Sequence, residues 1–483
     1  MEAKKMSVEQ TSVKGYGWIL AAFFIVGETA GSGMVAMPRA IMNTGLYGGI
    51  VLLMIICLML AYTAHKLGQN WLLMQRRWPK YLNEACRDVY PEMAKRALGN
   101  KARIFTQVII YTTLFAAIGV FTILAAKNFS QILVIFQVRI HFCIIIIAVA
   151  LFMWPLQFLR SPAHFWQISI VAAASTTLAV ILIVVGSFLD LPLCYHPENL
   201  DVGSDLTHFS LGFGTIVFAY GGHCGFPALQ HDMRNPAQFT KSVLVSYIFM
   251  FCLYAPVSLI SFYTYGNNLS DSVIASMQNP LLRNIINIMI TIHVLVSILI
   301  IGNPLSQGAE HLLKIKDELG LGRIVVRTVV FWSSILVALT FPNFGIFLDL
   351  VGSSAMTLLA MILPGIFALY LEAGEKLEEE RVETAKEAEE NKYPTLTDVF
   401  RLTPKGHLLL NLFIISVGLI CGITATANAL IQLFQSSLAT PCYVQLYHEF
   451  RQPSQHPNPA LQCCGQYGNI TSDLTSTCTN ALF

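Results

Sequence analysis

The chain has 483 residues, of which 55% belong to the set AVILMFWYC and only 12% are Asp, Glu, Lys or Arg, and its mean hydropathy is +0.60. A soluble fold needs roughly a quarter of its residues charged to cover its surface, so much of this exterior faces lipid. A net charge of +2, with no basic tract interleaved with aromatics, excludes nucleic acid as a partner, and the same composition excludes disorder and a small disulfide scaffold.

Residues 1–17 form a polar tail carrying Lys4, Lys5 and Lys14, expected in the cytoplasm. The apolar run from Trp18 continues well past the length of a signal peptide's apolar h-region and no small-residue cleavage site closes it, so it reads as a first permanent helix. With about 20 apolar residues per crossing, the sequence predicts eleven helices, over 18–40, 46–68, 104–126, 139–159, 164–189, 209–230, 241–264, 284–305, 324–341, 346–371 and 407–435. These runs are about twice the length of a barrel strand and do not alternate. The expected class is an all-α membrane protein with a transporter-type domain over 18–435. Residues 69–103 form a basic loop whose Trp71, Trp78 and Tyr81 suit the headgroup layer. Residues 372–405 form a charged loop opening on EAGEKLEEERVETAKEAEEN, a solvated helix, and 436–483 form a polar, Cys-containing appendage.

Lys and Arg fix the expected orientation. With the N-terminus in the cytoplasm, nearly all of them lie inside, while the outer segments hold Lys127, Arg139, Arg283 and Arg451, with Arg39 at the outer end of the first span. The sequons at Asn128, Asn268 and Asn469 then lie outside, where glycosylation occurs. So do Cys194, Cys442, Cys463, Cys464 and Cys478, five thiols in oxidising space whose pairing is open; Cys194 or a partner within the tail is expected to tie down the segment after Gln435. Cys57, Cys143, Cys224, Cys252 and Cys421 fall within spans. Either the plasma membrane or a lysosomal or vacuolar membrane satisfies this topology.

Two spans break the hydrophobic pattern. GETAGSGMVAMP, from Gly27 to Pro38, places three glycines, Thr29 and the ionisable Glu28 inside an apolar helix. Glycine costs about 1 kcal/mol per helix position relative to alanine, so this stretch is expected to unwind near 27–34. FAYGGHCGFP, from Phe218 to Pro227, interrupts the sixth span in the same way near 220–227. Bare peptide groups at that depth are tolerable only where they line a cavity or meet a ligand. Breaks in the first and sixth spans point to two inverted repeats of five helices, with one helix left over, and a site at mid-membrane. Half-helix N-termini there suit a carboxylate and free carbonyls suit an amine or a cation, as an amino acid requires. The candidate binding residues are Gly31, Ser32, Gly33, Phe218, Tyr220, Gly221 and Gly222.

Three stretches, AGSGMVAMPRAIMNTG (30–45), FGTIVFAYGGHCGFPALQHDMRNPAQF (213–239) and FPNFGIFLDLVGSSAMTLLAMILPGIF (341–367), carry a resemblance to the amino acid/auxin permease family. The first is similar to that family's G-[SA]-G-I-L-x-L-P pattern and the second to its F-A-[FY]-x-G-H…P-x-[IL]-Q-x-[DE]-M signature. The resemblance covers roughly 15–435 and implies a LeuT-like bundle, symport of amino acids and alternating access around the first and sixth helices. Sodium-coupled members carry an asparagine four residues before the first glycine of their GSG; here that position is Gly27, which removes one sodium ligand and favours protons.

A carboxylate within a span costs about 2.5–3.5 kcal/mol, so Glu28 is the leading candidate for proton coupling or for binding the substrate amine. Thr29, His223 and Thr291 complete the proton or cation set, Thr291 as a hydroxyl open to sodium. His293 has no such context and reads as a packing residue, Asp232 and Arg234 as a gate or a helix cap, and Asp349, near the outer end of the tenth span, equally as a gate or as a solvated group. No metal spacing, nucleotide fingerprint or hydrolase elbow is present, so neither an enzyme nor a resident cofactor is expected. The expected activity is symport of small neutral amino acids with protons; sodium coupling, or an amino acid sensor with little transport, are the alternatives.

Overall fold

The computed structural model describes residues 15–84, 86, 88–136, 138, 140–159, 166–195, 197–200, 205–315, 318, 320–383, 393–435, 440–451, 461–463 and 470–472. In chain order the helices are α1 (Trp18–Thr29), α2 (Ser32–Thr44), α3 (Leu46–Arg77), α4 (Lys80–Asn83), α5 (Val89–Leu98), α6 (Asn100–Ile135), α7 (Phe142–Met153), α8 (Trp166–Cys194), α9 (Leu206–Ala219), α10 (Phe226–His231), α11 (Phe239–Tyr265), α12 (Pro280–Leu312), α13 (Leu321–Thr340), α14 (Phe344–Val351), α15 (Leu363–Glu383), α16 (Leu396–Leu402), α17 (Lys405–Gln435) and α18 (Cys442–Arg451). A short antiparallel ribbon, β1 (Leu461–Cys463) with β2 (Ile470–Ser472), lies in the tail.

Among the described residues eight helices are long and apolar enough to cross a bilayer, and α1 with α2, bent by 61° at their break, supplies a ninth crossing if the pair is one span. Residues Phe142–Phe158 and α9 are apolar but shorter. Among the described residues the apolar spans are thus helical. Between α14 and α15 the span continues through two π-helical stretches, Gly352–Met356 and Leu358–Ile362. This is the most enclosed of the long spans, with 72% of its apolar window buried.

Several elements run longer than expected, for a tertiary reason. The second span was bounded at residue 68, yet α3 continues to Arg77 because its polar residues find buried partners. Lys66 is buried and donates to Glu372 Oε1 of α15 at 2.8 Å. Trp71 is 0% and Tyr81 5% exposed, so neither lies in the headgroup layer; Trp71 packs on Tyr81 and His231. The charged stretch after Glu372 is not merely solvated. It extends α15 and pairs with the basic end of α3 and with α16: Arg76 with Glu375 at 3.2 Å, Arg77 with Glu378 at 2.9 Å and Arg401 with Glu380 at 2.7 Å.

On the tail side, Cys442 pairs with Cys143, at the start of α7 and outside the five expected outer cysteines, and the bond joins positions 299 apart in sequence. Cys194 is itself disulfide-bonded; Cys464 and Cys478, and the side chain of Cys463, lie outside the described residues. Asn128 and Asn268 are 1% and 3% exposed, within α6 and in the turn after α11. Neither side chain is presented to solvent, so the folded chain has no room for a glycan there. Asn469 lies outside the described residues.

Candidate functional site

The glycine-rich stretch of the first span unwinds over Ala30 and Gly31, between α1 and α2. Gly31 N–H turns back to Thr29 O at 2.9 Å, and Met34 N–H reaches Gly31 O at 3.2 Å. The sixth span opens over Tyr220–Gly225, between α9 and α10. There Gly221 N–H reaches Phe218 O at 3.1 Å and Gly225 N–H reaches Gly222 O at 3.0 Å. Helix resumes at Phe226, with Pro227 in the first turn where its missing N–H costs nothing.

Small residues let the two breaks meet. A Cβ on Gly33 would stand 2.5 Å from Ala219 Cα, and the Glu28 carboxylate lies directly on Gly225. Helix α11 collects carbonyls that the breaks release. Tyr254 Oη donates toward Ala219 O at 3.0 Å and Thr29 O at 3.4 Å, and Tyr247 Oη donates to Tyr220 O at 3.2 Å.

Below the junction lies a cavity of about 1010 Å³. Its wall takes Glu28, Thr29, Gly31 and Ser32 from the first break and Phe218, Gly221, Gly222, Cys224 and Gly225 from the second, then runs to Tyr16, Asp88, Asp232 and His311 at one end of the bundle. Among the described residues its lining holds three carboxylates, Glu28, Asp88 and Asp232, and no Lys or Arg. At this end the two broken spans are stapled: Arg234 N–H donates to Tyr16 O at 2.9 Å and Tyr16 Oη to Leu229 O at 2.5 Å. Asp232 thus sits beside the cavity mouth, and Arg234 joins the staple through its backbone.

The opposite end carries paired charges and does not line the cavity. Arg39 of α2 pairs with Asp271, and Lys127 of α6 stands 3.9 Å from the same carboxylate. Asp271 lies in the connection after α11; burial would raise its carboxyl, but the charges of Arg39 and Lys127 outweigh it and hold the group below its ordinary range. Asp349, for which solvation is one of two readings, is 6% exposed and accepts a hydrogen bond from Thr215 of α9.

Several predicted residues converge on the junction. Ser32 Oγ, in the cavity wall, and His223 Nδ1, behind it, are buried without a hydrogen-bond partner, an arrangement native interiors rarely tolerate unless a ligand or water completes it, while the Tyr220 hydroxyl stands against the Cys57 thiol. His223 Nε2 lies 3.1 Å from both Leu60 O and Thr63 Oγ1. Leu60 O can only accept, so Nε2 carries the hydrogen and Nδ1 is left as a bare acceptor. Thr291, on α12, is also buried with an unpartnered hydroxyl but is not part of the cavity wall. His293, expected to be remote packing, instead abuts the first break: its Nε2 faces Gly31, 2.7 Å from where a Cβ would stand, while Nδ1 meets Thr176 Oγ1 at 3.0 Å and Ala172 O at 3.3 Å. Tyr254, Tyr247 and Tyr16 were not singled out from sequence. Nothing in the pattern of an apolar helix shows where a phenol hydroxyl points. Among the described residues no group of three or more His, Cys, Asp or Glu is placed to hold a metal ion.

The architecture defines a class, a multi-pass helical membrane protein with two interrupted spans meeting over a one-sided cavity. Within that class the chain belongs to the transmembrane amino acid transporter protein family, whose model matches residues 14–388. It is similar to three proteins of Arabidopsis thaliana. It is 22% identical over 292 residues to amino acid transporter AVT1C (58% of this chain, 52% of that protein). It is 25% identical over 352 residues to amino acid transporter AVT1B (70% and 62%). It is 24% identical over 387 residues to lysine histidine transporter-like 3 (75% and 82%). The chain therefore spans little more than half the length of the first and about three fifths of the second. The family is one of transporters, not of enzymes.

Proposed function

We propose that the chain is a proton-coupled symporter of small neutral amino acids that works by alternating access around its two breaks. The shorter α7 and the broken α9–α10 complete eleven crossings in a LeuT-like bundle, with the N-terminus cytoplasmic. The observation that carries this reading is the cavity, which joins both breaks to one end of the bundle only, as an inward-facing state requires. The N-terminus of α2, with the unpartnered Ser32 hydroxyl beside it, suits the substrate carboxylate. Glu28 stands in the wall with no cationic partner among the lining residues, so a proton or an ammonium group must neutralise it. His223 Nδ1, a bare buried acceptor, is a second proton site.

Sodium is the second reading, supported by the unpartnered hydroxyl of Thr291. Uptake of labelled amino acids by expressing cells, in sodium and in choline media at acidic and at neutral pH, separates the two. Glu28→Gln should reach the membrane yet lose pH-driven accumulation by about tenfold or more, equivalent to 1.4 kcal/mol of coupling. Undiminished acid stimulation in that variant would remove Glu28 from the mechanism. No uptake of any amino acid by the wild-type chain would end the symport reading.

A further inference from the structure

The Tyr254 hydroxyl has two acceptors and one hydrogen. Its oxygen lies 3.0 Å from Ala219 O and 3.4 Å from Thr29 O, and each carbonyl ends a half-helix, Thr29 closing α1 and Ala219 closing α9. The side chain is 0% exposed, and its ring is held edge-on against Tyr220 with centroids 5.0 Å apart. The hydroxyl is therefore fixed by packing at the seam of the two breaks. Two carbonyl oxygens brought together at low dielectric repel unless something electropositive stands between them. In a broken-helix site that role falls to a monovalent cation, which unwound carbonyls coordinate. Here a phenolic O–H occupies the place.

We infer that Tyr254 is the positioning residue that clips the two breaks together, its hydroxyl proton replacing a bridging cation so that the junction closes without sodium. The inference rests on the transport reading but makes its own claim about the junction. A control lies on the same helix: Tyr247 Oη donates to Tyr220 O at 3.2 Å and so serves the second break alone. Tyr254→Phe removes one oxygen atom, leaves Ala219 O without its donor from α11, and opens a space facing two carbonyls. Tyr247→Phe removes the same atom without uncoupling the breaks.

The test compares the full-length wild type, Tyr254→Phe and Tyr247→Phe in two measurements. The first is amino acid uptake, corrected for surface protein, in sodium and in choline media. Each variant orphans one buried carbonyl and should lower uptake in choline by up to about tenfold; adding sodium should restore part of it in Tyr254→Phe, where two carbonyls lose their shared donor, whereas Tyr247→Phe should ignore sodium. The second is the rate at which a maleimide modifies Cys224, a free thiol in the cavity wall, in detergent-solubilised protein, followed at the Cys224 peptide by mass spectrometry. Tyr254→Phe should speed this severalfold as the breaks part, and Tyr247→Phe should not. Equal behaviour of the two variants in both measurements, or a wild type that requires sodium, overturns the clip. Absence of wild-type uptake defeats the transport reading alone, since the labelling comparison still decides whether Tyr254 holds the junction.

Discussion

The two ends of the bundle handle charge in opposite ways. At the Tyr16 end, Asp88 and Asp232 line an open cavity with no Lys or Arg among its wall residues. At the Arg39 end, Asp271 is shared by Arg39 and Lys127, and Asp349 is buried under Thr215. Unpaired carboxylates remain where water can solvate them, and paired or hydrogen-bonded ones stand where the helices close. The contrast teaches which end is open in this state. If the breaks move, this distribution must invert: the Arg39 end has to lose its pairs while the Tyr16 end is covered.

The most disruptive way to break the contrast lies behind the cavity wall at the open end. Glu310 of α12 faces away from the cavity, with Arg327 Nε at 2.6 Å and Arg323 Nε at 3.3 Å, and Arg327 Nη1 donates to Gln157 O at 2.6 Å. All three side chains are nearly fully buried. Removing one partner of a buried pair costs about 3–5 kcal/mol, so Glu310→Gln should sharply lower the melting temperature of detergent-solubilised protein. A melting temperature within error of wild type would show that these charges do not hold α12 against α13.

A smaller effect is expected at the closed end. Asp271→Asn removes a pair whose Arg39 side chain is 36% exposed, so its cost should be about 1 kcal/mol or less. The expected readout is faster labelling of Ser32→Cys by a reagent applied from the Arg39 side. The pH dependence has a definite sign. Because the Asp271 carboxyl is held low, its contribution is complete above the ordinary carboxylate value of about 3.9 and is lost only as pH falls through the still lower folded value. Mildly acidic pH would therefore leave this closure intact. Labelling that rises between neutral and mildly acidic pH would contradict it.

The smallest expected effect on transport is that of Cys143→Ser. It frees α18 from the start of α7 but touches neither break, so uptake should stay within about twofold (under 0.5 kcal/mol), while an engineered protease site near Gln445 becomes easier to cut. A large loss of uptake would mean that the tail bears on the cycle.

Much of the architecture was legible because it rests on local chemistry. The glycines of 27–33 and 221–225 announce unwound backbone in an apolar run, and the structure opens the second over Tyr220–Gly225 but the first over Ala30 and Gly31 alone, with Gly27 and Gly33 still helical. What was not legible depends on partners distant in sequence. Lys66 ends an apolar stretch and looks like a loop boundary, but Glu372, 306 positions away, keeps it inside a helix. Asn268 fits a sequon, yet a sequon specifies nothing about burial. His293 and Tyr254 are single polar residues in ordinary spans, and only the packing of α12 and α11 shows that one faces Gly31 and the other bridges two carbonyls.

The two wide-turn stretches at Gly352–Met356 and Leu358–Ile362 set the azimuth of everything beyond them. Each lodges about one residue more than an α-turn would, which rotates the following rod by roughly 100°. Asp349 before them meets Thr215, and Glu372 after them meets Lys66; holding both partnerships at once depends on that added rotation. Deleting a single residue from this stretch would leave the first carboxylate docked and swing the second off its lysine, so these turns act as the phase adjuster between the two ends of the molecule.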